Sequence, residues 1–303
     1  MLSPATIPYK HTQLPRDRFV LPGWSVLVVD GPDAAAFLHA QTMNDVLALQ
    51  RGHWHWNGWL SAKGRVHAVF ALLRTGDAAF ALVLPDLPAG ELGTALQRYV
   101  FRSKLRLDAS CGWRVYGEFD GAHDPPSADA AKMMEDGAWI FDMGAPGSNR
   151  RLHLVPDAHA DNALETGGDE AGPRAWFDAD LRHGLPRLPA TQRDAWTPQM
   201  LSLQRLHAYS LSKGCYPGQE IVARTHYLGQ SKRGLHLLAG DGLSTGAEVR
   251  DGSGGLLGTM VSAHPAGHLA LAVLSAFPPD AGLRVAGIEA REEAFVQGLQ
   301  RPV

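Results

Sequence analysis

The sequence predicts an α+β fold that ends in a small β-barrel, and three observations support this prediction. Over most of the 303-residue chain, short apolar strand patterns alternate with amphipathic helix patterns. From about Lys232 onward, short strand patterns follow one another between turns rich in glycine and aspartate, which is typical of a barrel. The chain is also long enough for two or three units of roughly 100 to 150 residues, each with its own core.

The first elements follow from local patterns. The stretch "WSVLVVDG" from Trp24 predicts a strand, and Pro32 and Asp33 then open the helix "AAAFLHAQ", because proline suits a first turn and a carboxylate suits its positive end. The segment "WHWNGWLSAKGRVHAVFALLR" predicts two strands around a turn at Ser61–Gly64. The strand "AAFALVLP" and a helix over about Ala89–Phe101 follow.

The later elements are mostly strands. Four are predicted before the barrel, at "KLRLDA", "GWRVYGEF", "AWIFDM" and "RRLHLVP", with surface excursions near His123–Ala130 and Asp161–Gly172. The barrel strands are predicted at "RGLHLLAG", "AEVRD", "LLGTMVSA" and "HLALAVLS". We place a boundary near Leu228–Ser231, which divides the chain into an α+β region of two interleaved subdomains over residues 1–228 and a barrel domain over residues 229–303.

Composition limits the classes of function. With 28 basic and 31 acidic residues the formal charge is −3, so nucleic-acid contact needs a local patch and direct nucleic-acid binding is not expected. No window of about 18 apolar residues predicts a spanning helix, and the N-terminus lacks the apolar core of a signal peptide, so we expect a cytoplasmic protein. The two cysteines, Cys111 and Cys215, are far apart without CxxC spacing, which predicts neither disulfides nor a stably bound metal.

The stretch "SKGCYPGQEIVART", Ser212–Thr225, contains the most informative cysteine. Gly214 and Gly218 permit backbone conformations closed to other residues, and Pro217 suits a first turn, so we expect a helix from about Pro217. Cys215 would then lie just before that turn, where free amides and the helix dipole favour the nucleophilic thiolate. The alternative is a small buried residue in a tight loop.

The motif Lys213-Gly214-Cys215-Tyr216-x-Gly218-Gln219-Glu220 resembles the signature of the YgfZ-type folate-binding proteins, which are relatives of the aminomethyltransferase (T-protein) of the glycine cleavage system. Four further blocks resemble that family in the same order: "FLHAQTMNDV", "LSAKGRV", "RYVFRSKLRL" and "EIVARTHYLGQSKRGL". Together they span most of the chain.

The resemblance implies both a fold and a function. The fold would be three domains in a ring around a central folate channel, the last domain being a β-barrel. The function would be that of a cytoplasmic protein that binds tetrahydrofolate or a derivative. It would support the assembly or repair of iron–sulfur clusters in client enzymes, including some that modify transfer RNA. Its partners would be folate and iron–sulfur client or assembly proteins.

The resemblance also implies site residues. Trp24 and Trp176 match folate-contacting tryptophans of the family, and indole faces suit a flat heteroaromatic ligand. Each tryptophan is otherwise explained as an ordinary core residue. Cys215 would be the exposed reactive thiolate. Lys213 and Glu220 would support it, and Tyr216 and Arg224 would join the folate site. The cations Lys213, Arg224, Lys232 and Arg233 suit the glutamate tail of a folate or a nucleic-acid phosphate, and a solvated basic surface is the alternative for each of them.

The sequence departs from the family pattern at two places. His207-Ala208-Tyr209-Ser210 stands where the family has Gly-Gly-Ile-Ser, which predicts a narrower pocket. His207 is either a base for Cys215 or a polar residue that fills the lost glycine space. Asp86 and Glu91 lie near the expected position of the T-protein acid, but a solvated helix N-terminus explains both.

Three functions therefore stay open. The first is a folate-binding accessory protein without turnover of its own. The second is a folate-dependent one-carbon transferase, of the aminomethyl type, that uses Cys215 as a nucleophile. The third is a scaffold that has kept the fold and lost the ligand. The missing match for the acid favours the first.

Overall fold

The computed structural model describes residues 18–110, 112–119, 130–145, 149–160, 170–227, 229, 231–278 and 282–301. These residues form two five-stranded antiparallel sheets and a closed six-stranded barrel. Cys111, most of the two predicted excursions, and Leu228 and Gln230 at the predicted boundary lie outside the described residues. No described helix is long and apolar enough to cross a membrane.

The elements before the barrel are, in chain order, β1 (Phe19–Val20), β2 (Ser25–Asp30), α1 (Ala34–Gln41), β3 (Trp54–Leu60), β4 (Val66–Arg74), β5 (Ala79–Leu84), α2 (Ala89–Gln97), β6 (Arg106–Asp108), β7 (Trp113–Phe119), β8 (Ala131–Met133), β9 (Trp139–Asp142), β10 (Arg150–Pro156), α3 (Ala171–Arg182) and α4 (Gln219–Tyr227). The barrel consists of β11 (Arg233–Gly240), β12 (Glu248–Arg250), β13 (Leu256–Ala263), β14 (Leu269–Ser275), β15 (Arg284–Val285) and β16 (Ile288–Glu293).

The first sheet has the strand order β3-β4-β5-β2-β6, with α1 and α2 packed on one face. Helix α2 buries Leu92 and Leu96, which are four residues apart and therefore share one side of the helix. It ends at Gln97, earlier than the predicted Phe101, because the chain continues in tight turns: the amides of Tyr99 and Val100 donate to carbonyls three residues back.

The second sheet has the order β1-β7-β10-β9-β8, and α3 lies against β1 and β7. Two glycines permit this close approach. A Cβ atom at Gly117 would lie 2.7 Å from the Phe19 ring, and one at Gly172 would lie 2.5 Å from it. Because α3 also contacts β14, it connects the second sheet with the barrel.

The C-terminal barrel confirms the prediction made from the short strands. Its order is β11-β14-β13-β12-β15-β16, and pairing of β11 with β16 closes it. All four strands predicted from the pattern are present, and the last two strands, the two-residue β15 and the six-residue β16, were missed. The interior is apolar and includes Leu238, Met260 and Leu274.

The last described residues return from the barrel to the first sheet. The indole nitrogen of Trp56 donates to the carbonyl oxygen of Leu299 at 2.9 Å. Arg301 is fully buried, with its guanidinium 4.8 Å from the centre of the Trp54 ring. The largest hydrophobic cluster contains residues of both sheets and of the barrel, such as Trp54, Leu152 and Leu271, so the three units pack against one another.

Candidate functional site

The cysteine loop, which we define as residues 210–218, places Cys215 at the surface. Gly218 has φ +79°, and a Cβ atom there would lie 2.6 Å from Cα of Gly64. Only glycine therefore lets the loop rest on the β3–β4 turn. Because this left-handed residue cannot extend the helix backwards, α4 begins at Gln219, two residues after the predicted start at Pro217. Cys215 thus precedes the helix by a short irregular segment.

Lys213 anchors the cysteine loop from below. Its side chain is buried, and its ammonium group donates to the backbone carbonyls of His39, of Thr42 at 2.5 Å and of Asn44 at 3.2 Å. These carbonyls lie at and just after the end of α1, where the helix dipole favours a cation. Burial lowers the pKa of Lys213 to about 8. The three donors of Lys213 thus hold the loop to α1.

A buried polar network extends this anchor into the first sheet. Asn44 donates from its amide to the carbonyl oxygens of Trp56 and His207, both at 2.8 Å. Asn57 accepts from the backbone amide of Asn44 at 3.0 Å and lies 3.3 Å from His55. Burial lowers the pKa of His55 to about 3. Asn44 belongs to a block that resembles the family, but its contact with residue 207 could not be read from the sequence.

The other predicted residues of this motif divide between core and surface. Tyr216 is buried, with the ammonium of Lys213 4.8 Å from its ring centre, and burial raises the pKa of Tyr216. Glu220 and Arg224 lie exposed on α4. The structure therefore brings Lys213 and Tyr216 together beneath the loop and leaves Cys215, Glu220 and Arg224 accessible.

A cavity of about 1220 Å³ adjoins the cysteine loop. Its walls include residues 209–212, the end of α4, Lys232 and the first residue of β11, Arg233. His207 also lines it, is exposed, and adopts a left-handed backbone with φ +53°. This conformation is one that glycine adopts without strain, which explains why the family pattern has glycine there. The histidine side chain projects into space that glycine would leave free.

The structure also brings Trp24 and Trp176 together, with ring centres 6.4 Å apart and planes at 81°. Trp176 is fully buried among Phe19, Phe119 and the guanidinium of Arg150, which lies 4.6 Å from its ring centre. Trp24 is only half-buried. We call these two residues the tryptophan pair: Trp24 exposes part of its ring, and Trp176 supports it from the core.

Buried charges surround the tryptophan pair. Arg150 and Asp180 form a fully buried ion pair at 2.7 Å, and Arg187 reaches the other Asp180 oxygen at 3.3 Å. Burial raises the pKa of Asp180, and the two guanidinium groups oppose that rise. The guanidinium of Arg187 also lies 5.5 Å from the centre of the Trp24 ring. The pair is therefore set in a rigid, charged support.

Of the two acids near α2, Glu91 lies exposed in the first turn of the helix, as the solvated-end interpretation predicts, whereas Asp86 has partners that this interpretation does not explain. Asp86 accepts hydrogen bonds from Arg187 and from the amide of Leu188, and Glu91 pairs with Arg193 at 3.0 Å. Both carboxylates hold the segment that follows α3 against the first sheet. Across the described residues, no group of three or more His, Cys, Asp or Glu side chains is arranged to hold a metal ion.

The arrangement of two sheets and a barrel is that of the glycine cleavage T-protein. The crystal structure of aminomethyltransferase T from Bartonella henselae matches with a TM-score of 0.74 and 17% identity, covering 94% of this chain and 86% of that one. This likeness confirms the predicted fold. No family model matches the chain.

Sequence identity to curated relatives shows the family to which the chain belongs. The tRNA-modifying protein YgfZ of Vibrio vulnificus is 30% identical over 234 residues, which cover 73% of this chain and 69% of the relative. The YgfZ protein of Edwardsiella ictaluri is 29% identical over 301 residues, covering 92% and 90%. That of Pectobacterium atrosepticum is 29% identical over 250 residues, covering 77% and 73%. The chain belongs to the YgfZ family, as the resemblance of its motifs predicts.

Proposed function

We propose that the protein binds tetrahydrofolate, or a derivative, and acts as an accessory factor for iron–sulfur cluster assembly or repair in client enzymes, including enzymes that modify transfer RNA. Its relatives carry the name tRNA-modifying protein, which supports a role in that process. The observation that carries the folate part is the tryptophan pair, because a half-exposed indole on a rigid support suits a flat heteroaromatic ring.

The residues of the tryptophan pair fit such a ligand in different ways. Trp24 supplies the exposed aromatic surface for stacking, and Trp176 fixes its position from the core. The indole nitrogen of Trp176 is buried and has no hydrogen-bond partner among the described residues, which is unusual for a buried donor. Arg187, beside Trp24, adds a cation near the ring that would receive the pterin.

The cysteine loop supplies the second part of the proposal. Cys215 provides the exposed thiol group that meets a client protein or its cluster, and Lys213 and Tyr216 position the loop from beneath. Arg224, on the exposed side of α4, and Lys232 and Arg233, in the cavity wall, supply cations for the glutamate tail of the folate. Glu220 lies at the accessible side of the loop, where a partner would contact it.

A folate-dependent transferase is less well supported. That activity would use a carboxylate beside the folate nitrogen, and the two acids near the expected position are both engaged in ion pairs. Cys215 remains available as a nucleophile in either case. A single-turnover assay with an aminomethyl donor distinguishes the two functions, since only the transferase transfers the carbon unit.

The folate proposal is tested by titrating the protein with tetrahydrofolate while intrinsic tryptophan fluorescence is recorded. We expect saturable quenching, and Trp24→Ala should weaken binding by about 1 to 3 kcal/mol, the usual loss for a stacked aromatic. Trp113→Ala, at a half-buried position at the start of β7, is the matched control and should bind as the wild type does. Equal affinity of the Trp24→Ala variant and the wild type would exclude the pair as the folate site.

The role of Cys215 is tested separately. Cys215→Ser should leave tetrahydrofolate affinity unchanged, and should fail to restore iron–sulfur enzyme activity in cells that lack the protein. Ser212→Ala, at an exposed position in the same loop, is the control and should restore it. Full complementation by Cys215→Ser would remove the thiol from the proposal and leave the folate site standing.

A further inference from the structure

The segment that follows α2 carries exposed aromatic and basic side chains together. We call residues 98–104 the aromatic-basic segment. Phe101 is 86% exposed, the highest value for a large hydrophobic side chain among the described residues, and Tyr99 is 45% exposed. Arg98, Arg102 and Lys104 are exposed between and beside them. Rings and cations therefore share one short stretch of surface.

The charge of this segment is positive although that of the whole chain is not. No acidic residue occurs between Leu92 and Leu107, whereas the chain carries a formal charge of −3. Arg98, Arg102 and Lys104 form no ion pair within the part of the chain that the structure describes. The next cation, Arg106, differs because it pairs with Asp30 and Asp108, both at 3.3 Å. The three cations are thus available to an anionic partner.

The backbone of the aromatic-basic segment is held in place. The amide of Lys104 donates to the carboxylate of Asp33 at 2.6 Å. Gly31, with φ +136°, lies so close that a Cβ atom there would be 2.6 Å from Cα of Leu105. Ordering such a segment on binding costs little conformational entropy, because it is already ordered.

The segment also adjoins the support of the cysteine loop. The ring of Tyr99 stands edge-on to that of Trp59, with centres 6.5 Å apart. Trp59 is paired by a β-bridge with Thr42, whose carbonyl accepts from Lys213. A chain of contacts therefore links the aromatic-basic segment with the anchor of the loop that presents Cys215.

We propose that the aromatic-basic segment binds a single-stranded nucleic acid. Bases would stack on the rings of Phe101 and Tyr99, and the phosphates would contact Arg98, Arg102 and Lys104. Because the whole chain carries a net negative charge, contact with nucleic acid requires a local positive patch, and this segment provides one. The proposal goes beyond the folate and thiol functions and needs neither Trp24 nor Cys215. A protein with an apolar groove is the competing partner, and it would not require an aromatic ring at residue 101.

The test is fluorescence anisotropy of labelled RNA and DNA oligonucleotides of one mixed sequence, titrated with full-length protein. We expect saturable binding of at least one of them, and comparison of the two arms identifies the sugar preferred. Phe101→Ala and Phe101→Leu should each raise Kd between about 5-fold and 150-fold, because both lose the stacking ring. Phe101→Trp should keep the affinity.

Charge is tested in the same assay. Replacing Arg98 and Arg102 together by glutamine should reduce the slope of log affinity against log salt by about 1.4, or about 0.7 for each phosphate contact on a single strand. Tyr227→Ala, which removes an aromatic side chain 70% exposed elsewhere, and Lys132→Gln, which removes an exposed cation, are the controls and should leave Kd unchanged.

Three outcomes would overturn the proposal. The first is that neither oligonucleotide binds at low salt. The second is an unchanged Kd in the Phe101→Ala variant. The third is wild-type affinity in the Phe101→Leu variant, because that result would indicate an apolar contact and a protein partner. Because residue 101 is almost fully exposed, these variants should fold normally, and equal melting temperatures check this. The folate titration of Trp24→Ala is unaffected by any of these results.

Discussion

The tryptophan pair and the cysteine loop are built in opposite ways. In the first region the supporting residues Arg150, Asp180 and Trp176 are themselves fully buried, and Trp24 emerges only in part. In the second region Cys215 is exposed, while its anchors Lys213 and Tyr216 lie below the surface. In the first region a half-buried ring is supported by buried charges, whereas in the second an exposed thiol lies above two buried anchors.

This difference determines how binding and stability are related. Around the tryptophan pair, the residues that orient the ring also hold the second sheet and α3 together, so a change there affects both properties. In the cysteine loop Cys215 itself is exposed, so we expect its chemistry to be separable from folding. We expect mutations to reveal this separation, with effects that decrease in size from the buried ion pair to the exposed His207.

The largest effect should follow Asp180→Ala. Removal of this carboxylate leaves Arg150 fully buried without its ion-pair partner, which typically costs about 3 to 5 kcal/mol of unfolding free energy. Urea unfolding measures the loss. Glu91→Ala breaks an exposed pair with Arg193 and should cost no more than about 1 kcal/mol. Similar losses in the two variants would mean that the buried network is not what stabilises this region.

The second effect belongs to the cysteine loop. Gly218→Ala forces a side chain into left-handed backbone and against Gly64, and we expect a loss of about 2 to 4 kcal/mol from the two causes together. Gly214→Ala, in the same loop, meets no atom within 4 Å and should change stability by less than about 0.5 kcal/mol. Thermal unfolding of both variants checks the contrast. An unstable Gly214→Ala variant would show that the whole loop, and not one contact, is essential.

The third effect is the loss of stability of each region at acidic pH. Burial lowers the pKa of both His55, behind the cysteine loop, and His183, at the end of α3, to about 3. Because the unfolded chain protonates each near pH 6.5 and the folded protein does not, stability is complete above pH 6.5 and falls as the pH decreases towards 3. At pH 5 each histidine should cost about 2 kcal/mol.

The measurement is urea unfolding at pH 7 and pH 5. His55→Gln and His183→Gln should each reduce the acid loss, while His159→Gln, at an exposed position, should not. If only one of the two buried variants reduces the loss, its region controls acid unfolding. If neither does, the acid sensitivity arises elsewhere.

The smallest effect should come from His207→Gly. Relief of left-handed strain and the greater freedom of glycine in the unfolded chain oppose each other, so we expect a change below about 1 kcal/mol in either direction. Gln204→Gly, at an exposed position with negative φ in the 3-10 helix Leu203–Leu206, gains no such relief and should lose about 1 kcal/mol. Differential scanning calorimetry measures the stability of both variants. A larger loss in His207→Gly would assign a structural role to the imidazole.

Sequence patterns predicted elements well and long-range contacts poorly. The strands around the turn at residues 61–64 and the barrel strands followed from alternation and from turn residues, which are local properties. The start of α4 was placed too early, because the conformation of Gly218 is set by Gly64, which lies far away in sequence. The anchor of Lys213 was likewise invisible, since its acceptor at Thr42 is 171 residues away.

The tryptophans show the same limit at one site. The resemblance to the family suggested both, yet only the structure shows that Trp176 is fully buried while Trp24 is only half-buried. The burial of a residue depends on which sheet and helix pack around it, and the local periodicity of the sequence does not reveal that packing. The exposed position of Cys215, between a glycine and a buried tyrosine, was by contrast suggested by its own neighbours.

The segment that returns from the barrel has a consequence for synthesis of the protein. Trp56 bonds to Leu299, a partner 243 residues later, and Arg301 covers Trp54. While the ribosome is still making the barrel, both tryptophans lack these partners, and the apolar surface that they form is incomplete. The first sheet, although translated early, therefore completes its fold only when residues 299–301 have left the ribosome.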